Sequence, residues 1–317
     1  MKELAVLLLS HSQEPLCTEL VAGALRARGA APLRIDTDSF PAGLTLSATV
    51  GPADAGTLLR DGVPLAVSAV WLWRLWPARL DPRLDSRHVE PAQRESAVTL
   101  RGLLDLLWAV PWIDPLDINQ AAGNKTRQLR LAHAVGLLVP PTLITSDPAA
   151  ARQFFTAHHG NVVAKLQTTL TYGMQAQGSL PTRLLRQKDL DALAGLRHCP
   201  MMLQRYIPKA YELRIAWVQG RAFVGALDGA KCGVDWRYES TATWQPHALP
   251  APIHATLGRL MSALGLRQGA IDMIVTPQGE YVFLEVNPNG EWGMLQAELE
   301  LPIAEALADA LLALPTT

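Results

Sequence analysis

Blocks of apolar residues alternate with helical periodicities over the first third of the chain. The run Leu4 to Leu9 stops at Ser10, His11 and Ser12 and reads as a buried strand over 4–10; further strands are expected over 32–36 and 68–74. Between the first two, Leu16, Leu20, Ala24 and Ala27 recur at three- and four-residue spacings. That pattern predicts a helix near 15–28, buried on this face and closed by Gly29 as a left-handed cap. A helix over 91–110 follows, and the turn-rich stretch Pro111 to Asn124 predicts a domain boundary. Strand, helix, strand in this order is the grammar of a parallel sheet wrapped by helices.

A second block opens with a helix marked by Leu129, Ala132 and Val135 and stopped at Gly136. Pro140 and Pro141 then force extended chain. Asp147 before Pro148 is an N-cap with proline at the first helical position, and a strand is expected over 161–167. The polar stretch 168–178 has little periodicity and reads as a mobile loop or a short hairpin. The last third is strand-rich, with strands expected over 201–205, 211–218, 221–227, 269–276 and 280–287 and a helix near 253–265. A closing helix from Pro302 to Leu312 should bury Ile303, Leu307 and Leu311 and expose Glu305 and Asp309. The fold class is α/β in the front and α+β at the back, divided as 1–118, 119–200 and 201–317.

Composition narrows the function. The 317 residues carry 28 Lys plus Arg against 29 Asp plus Glu, a net charge of −1, so no basic excess exists to neutralise a phosphate backbone. No nucleic acid is expected as a partner. No uncharged run reaches the roughly 18–20 residues that a spanning helix needs, so no membrane is expected either. The isolated cysteines Cys17, Cys199 and Cys232 form no metal knuckle or disulfide framework and fit a reducing cytoplasm. The sequence after the first strand, LLLSHSQEP, has no glycine, which argues against a dinucleotide fingerprint.

The most informative stretch is GAIDMIVTPQGEYVFLEVNPNGEWG. Pro277, Gln278 and Gly279 separate two strand-forming runs and predict a hairpin. A loop of two or four residues would set Asp272 opposite Glu285 and Ile274 opposite Phe283. Asp272, Glu285 and Asn287 would then share one face, while Ile271, Met273, Val275, Val282, Leu284 and Val286 form the apolar one. A three-residue loop or a bulge would break that register. Facing carboxylates repel by about 4 kcal/mol at 4 Å for an effective dielectric near 20. Either both acids are solvated on an exposed hairpin, or a hard divalent cation such as Mg²⁺ sits among these oxygen donors.

Read in order, NKTRQLRLAHAVGLLVPPTLIT, VVAKLQ, LQRYIPKAYELRIAWVQGRAFVGAL, VDWR, GAIDMIV and FLEVNPNGEWG resemble the ATP-grasp superfamily. The closer resemblance is to the ATP-grasp maturases of microviridin-type ω-ester and ω-amide peptides, the graspetides; the opening domain with VWLWRLWP resembles their N-terminal portion. The resemblance implies an ATP-grasp fold behind a pre-ATP-grasp α/β domain, with ATP and Mg²⁺ as cofactors. It implies that Asp272, Glu285 and Asn287 hold Mg²⁺ and that Lys125 and Lys165 contact the ATP phosphates. Only six lysines stand against 22 arginines, so a lysine within the apolar strand VVAKL is unusual. Gln204, Arg205, Tyr206 and Ile207 resemble the adenine hinge, with Met202 and Ile207 sandwiching the ring. Glu212 resembles the ribose acceptor, and Arg214 and Arg237 resemble the arginines that stabilise the transferred phosphoryl and acyl phosphate. The loop 168–178 departs from the family's glycine-rich flap: it offers Thr168, Thr169 and Thr171 with Gly173 and Gly178 only.

The implied activity is an ADP-forming ligase acting on a precursor peptide with a leader sequence. It would activate Asp or Glu side chains as acyl phosphates and join them to Ser, Thr or Lys. An alternative is a ligase adding an amino acid to a small molecule or protein terminus; a third reading is nucleotide binding without catalysis. No general base stands out, Asp235 being a weak candidate, and Arg74 either meets an acidic substrate or packs among tryptophans. Ring number, ester or amide product, the leader-binding surface and oligomeric state are not legible, and a homodimer stays open.

Overall fold

The computed structural model describes residues 4–14, 16–52, 56–167, 181–239 and 241–315. The loop expected over 168–178, with its threonines and glycines, lies outside the described residues. The chain divides into two compact units, one of residues 1–119, 291–296 and 300–317, the other of 120–290 and 297–299. Residues after Gly290, grouped above with the last segment, thus cluster mainly with the first.

In the first unit, β1 (Ala5–Ser10) is followed by α1 (Cys17–Ala27) and β2 (Pro32–Asp36). Three short antiparallel strands follow, β3 (Leu46–Ser47), β4 (Leu59–Arg60) and β5 (Val63–Pro64), then β6 (Val67–Leu72), α2 (Ser86–Asp105) and β7 (Trp112–Ile113). The main sheet is parallel, in the order β2-β1-β6-β7. Leu7, Leu8 and Leu9 are buried on both faces, as parallel strands between helices must be. Each such side chain contributes about 1.5–3 kcal/mol relative to exposure.

Two helices differ from the sequence pattern. The face α1 buries carries Cys17, Val21, Ala22 and Leu25, whereas Leu16 is exposed. α2 starts before Pro91, because the Asp85 carboxylate accepts the Arg87 N–H at 2.9 Å and caps the helix at Ser86.

The sequence passes through α3 (Leu116–Ala122) into the second unit. There α4 (Lys125–Ala134) leads to β8 (Thr142–Thr145), α5 (Pro148–Ala157), β9 (Val162–Lys165), β10 (Arg183–Leu184) and β11 (Met201–Arg205). Asp147 caps α5 as expected, accepting the Ala149 N–H at 2.8 Å. These strands form an antiparallel sheet in the order β10-β9-β11-β8. One face carries Ala164, Leu203 and Leu143 into a core with Phe155, Leu193 and Leu196. Its other face carries Lys165, Met202 and Gln204.

A second antiparallel sheet contains β12 (Tyr211–Val218), β13 (Arg221–Asp228), β14 (Gln245–Pro246), β15 (Gln268–Val275) and β16 (Tyr281–Asn287) in the order β14-β13-β12-β15-β16. α6 (Trp236–Glu239) and α7 (Ala251–Leu264) lie between β13 and β15 in sequence. After β16 come α8 (Gly293–Leu299) and α9 (Ile303–Leu312); α9 buries Ile303, Leu307 and Leu311 as predicted. No helix among the described residues is long and apolar enough to cross a membrane.

Candidate active site

The β15–β16 hairpin is built from two irregularities that compensate. Its loop has three residues, Pro277 to Gly279, closed by Thr276 N–H donating to Glu280 O at 2.9 Å, with Gly279 at φ +82°. Such a loop shifts the register by one, so Ile274 faces Val282 and Met273 faces Phe283, correcting the expected Ile274–Phe283 pair. A bulge between Asp272 and Met273 then restores the offset, and Asp272 faces Glu285 as predicted. The same bulge changes which residue is buried: Phe283 is fully buried, while Leu284, expected on the core face, is half-exposed.

Charge compensation at the acid pair comes from the chain itself. Arg214, directly across β12 from Asp272, places one guanidinium nitrogen 2.8 and 2.9 Å from its two carboxylate oxygens. Lys125, the first residue of α4, sits 3.0 Å from Glu285 Oε2 and donates to Asn287 Oδ1 at 2.9 Å. Asn287 Nδ2 donates to Glu285 Oε1 at 3.0 Å and lies 3.5 Å from Asp272 Oδ2, so the three oxygen-bearing side chains converge.

The two acids are shifted in opposite directions. Burial raises the Asp272 pKa and Arg214 opposes it, while the Glu285 charge adds to the rise. Burial also works to raise Glu285, but the Lys125 and Lys165 ammonium groups outweigh it and hold Glu285 below the ordinary carboxylate range. Burial depresses Lys165, with Lys125 and Arg237 adding to the depression and Glu285 and Asp272 opposing it. A lysine at the end of an apolar strand thus shares one field with both acids.

Arg237, in α6, is held by Asp235, whose carboxylate accepts Nε at 2.8 Å and Nη2 at 2.7 Å and also the Thr182 N–H at 3.0 Å. That pairing raises the Arg237 pKa. Burial would raise Asp235, but its hydrogen bonds to Arg237 and Thr182 lower it overall, which makes it a poor proton acceptor. Glu212, two residues before Arg214 on β12, is buried and ion-paired with Lys209. Burial raises the Glu212 pKa and Lys209 opposes the rise.

The expected hinge is partly committed to the fold. Gln204 is buried and donates Nε2 to Thr142 Oγ1 at 2.9 Å. The N–H groups of Arg205 and Tyr206 donate to Pro141 O and Asn161 O, both at 2.9 Å, so among the described residues the first hinge N–H without a backbone partner is that of Ile207. Arg74 belongs to the other unit, where its guanidinium lies 5.1 Å over Trp73 and 3.3 Å from Glu291.

Two residues escaped the sequence reading. Gln128, fully buried one turn after Lys125, donates Nε2 to Val286 O and to Ala122 O, both at 2.7 Å, and accepts the Val286 N–H at 3.0 Å. It grips the backbone between Glu285 and Asn287. The polar residue interrupting the apolar face of α4 was the available signal. Lys209 was the other, signalled by its three-residue spacing from Glu212.

Comparison with solved structures identifies the fold and the family. The crystal structure of macrocyclase MdnB from Microcystis aeruginosa MRC is 42% identical, covers 98% of this chain and 99% of its own, and superposes with a TM-score of 0.84. Macrocyclase MdnC from the same organism, bound with precursor peptide MdnA, is 34% identical over 98% of this chain and 99% of its own, with a TM-score of 0.88. The chain belongs to the graspetide-type ATP-grasp peptide maturases. A family model described as the MvdD pre-ATP grasp domain matches residues 5–120 of this maturase. A third relative, the Chryseobacterium gregarium RiPP-associated ATP-grasp ligase in complex with ADP and a leader and core peptide, is 27% identical. It covers 98% of this chain and 96% of its own, with a TM-score of 0.86. No curated protein matches the sequence. The chain has the ATP-grasp fold behind a pre-ATP-grasp domain and is an ATP-dependent ligase by family.

Proposed function

We propose that this maturase activates Asp or Glu side chains of a ribosomal precursor peptide and closes them onto Ser, Thr or Lys as ω-ester or ω-amide rings. The observation that carries the reading is the convergence of Asp272, Glu285 and Asn287 with Lys125, Lys165, Arg214 and Arg237 in one unit. Similarity over the full length to macrocyclases, one bound with its precursor peptide, favours a peptide substrate with a leader over a free amino acid.

The donor set fits a hard divalent cation. Two carboxylates and an amide oxygen suit Mg²⁺, which keeps its remaining positions for water and phosphate. Bound there, Mg²⁺ would neutralise charge on the ATP phosphates, and ATP would supply the γ-phosphoryl group. The protein's part is positioning. Lys125 and Lys165 hold phosphate oxygens, and Arg214 and Arg237 stabilise charge on the transferred group and on the acyl phosphate. Asp235 keeps Arg237 in place rather than taking a proton. The Ile207 N–H and the face bearing Met202 and Gln204 receive the adenine along 204–207, and Glu212 accepts ribose hydroxyls. The peptide hydroxyl or amine, held against the acyl phosphate, expels phosphate and needs proximity more than new charge. Residues 1–118, 119–200 and 201–317, the last apart from the segment after Gly290 that clusters mainly with the first unit, serve as pre-ATP-grasp, central and C-terminal parts of a cytoplasmic enzyme.

Incubating the full chain with MgATP and an acidic precursor peptide tests this. ADP should form, and the peptide should lose one water per ring without gaining a building block. If hydroxylamine traps no hydroxamate and no ADP forms with any acidic peptide, the ligase reading fails and binding alone is left.

A further inference from the structure

Lys209 is a buried cation to which the chemistry above gives no part. It lies in the link from β11 to β12, where the backbone is clasped from both sides. Ala210 N–H donates to Val275 O and Gly229 N–H donates to Ala210 O, both at 2.8 Å. A Cβ on Gly229 would stand 2.2 Å from the Lys209 carbonyl oxygen, so only glycine admits this approach. The ammonium pairs with Glu212 and reaches the Val234 carbonyl at 3.5 Å, next to the Asp235–Arg237 pair. The two side chains of the Lys209–Glu212 pair are only 4% and 10% exposed. Two ions taken so far out of water need excellent geometry to persist, and hydrophobic residues of like volume often do as well for stability. A pair retained next to a binding surface is therefore better explained by what it orients.

We propose that Lys209 is a positioning residue: it fixes the Glu212 carboxylate toward the ribose hydroxyls of the nucleotide and ties it, through Val234, to the segment presenting Arg237. The proposal rests on the reading of Glu212 as the ribose acceptor. The ammonium engages Glu212 Oε2, and among the described residues the other oxygen has no hydrogen-bond partner and is placed to accept a hydroxyl. Burial biases Glu212 toward its neutral, weakly accepting form, Lys209 opposes that, and Asp272 and Asp235 add smaller contributions to the rise.

The test is the affinity ratio of ATP to 2′,3′-dideoxy-ATP, measured calorimetrically on the full chain. Glu212→Gln should lower that ratio about tenfold or more, as loss of a hydrogen bond to a charged acceptor does. Lys209→Met should lower it comparably, the double variant should lose little beyond either single one, and Lys209→Arg should recover most of it. Lys209→Gln carries the same comparison if Lys209→Met does not fold. A Lys209 variant that melts earlier yet keeps the wild-type ratio overturns the proposal, because the lysine is then structural only. So do losses that add in the double variant. An unchanged ratio in Glu212→Gln alone removes the reading of Glu212 as ribose acceptor, and the proposal with it, while leaving ADP formation as a separate test of the ligase reading.

Discussion

Asp272 faces Glu285 because a three-residue loop and a bulge each shift the β15–β16 register by one and cancel. Without the bulge Glu285 would fall opposite Ile271, on the core face. The loop depends on Gly279 at φ +82°, a conformation that a β-branched side chain resists. Gly279→Val is expected to destabilise the protein by about 1–3 kcal/mol, and Gly279→Asn by less. Urea unfolding of both variants measures this.

Gln128 holds Val286 by its N–H and its C=O. Gln128→Leu keeps the volume and leaves the buried Val286 N–H unpaired, at a cost of about 1–3 kcal/mol, while Lys125 Nζ at 3.3 Å still reaches the Val286 carbonyl. Because Val286 lies between Glu285 and Asn287, the same variant should bind MgADP more weakly. Chemical denaturation and calorimetry read the two effects separately.

Lys125→Met and Lys165→Met should each weaken MgADP binding about tenfold or more, the loss expected for one charge-assisted contact. Circular dichroism should stay that of the folded protein. Wild-type affinity in either variant would remove that lysine from the phosphate site.

His11, stacked on Trp76 at 3.7 Å, is buried, and neither ring nitrogen has a hydrogen-bond partner among the described residues. Burial lowers its pKa, and the Arg74 charge adds to the fall. The unfolded chain therefore takes up a proton more readily than the folded one. The stability this provides is full above the ordinary value of 6.5 and is lost as pH falls through it toward the lower folded pKa. Comparing melting temperatures at neutral and mildly acidic pH, His11→Phe should show a smaller acid loss than wild type.

Much of the architecture was legible because periodicity reports burial. β11 and β12 end where the strand-forming runs end, and α9 buries the residues its spacing marks. Errors arose where a polar side chain or a local irregularity decided the outcome. α2 begins early because of the Asp85 cap, and the face α1 buries is set by Cys17 and Val21, which a Leu-and-Ala pattern does not reveal. The Asp272–Glu285 pairing was readable from the order of residues, but the bulge that produces it leaves no mark in the alternation. Gln128 and Lys209 were missed because their importance lies in backbone and ion-pair geometry between elements distant in sequence or adjoining a turn.

Binding of Mn²⁺ in the presence of ADP, followed by electron paramagnetic resonance, tests the central assignment most directly. The wild-type chain should take up the ion, and the Asp272→Asn, Glu285→Gln double variant should bind it at least about tenfold more weakly, no less than the loss of an outer-shell partner costs, while remaining folded. Undiminished Mn²⁺ binding in a folded double variant would contradict the account.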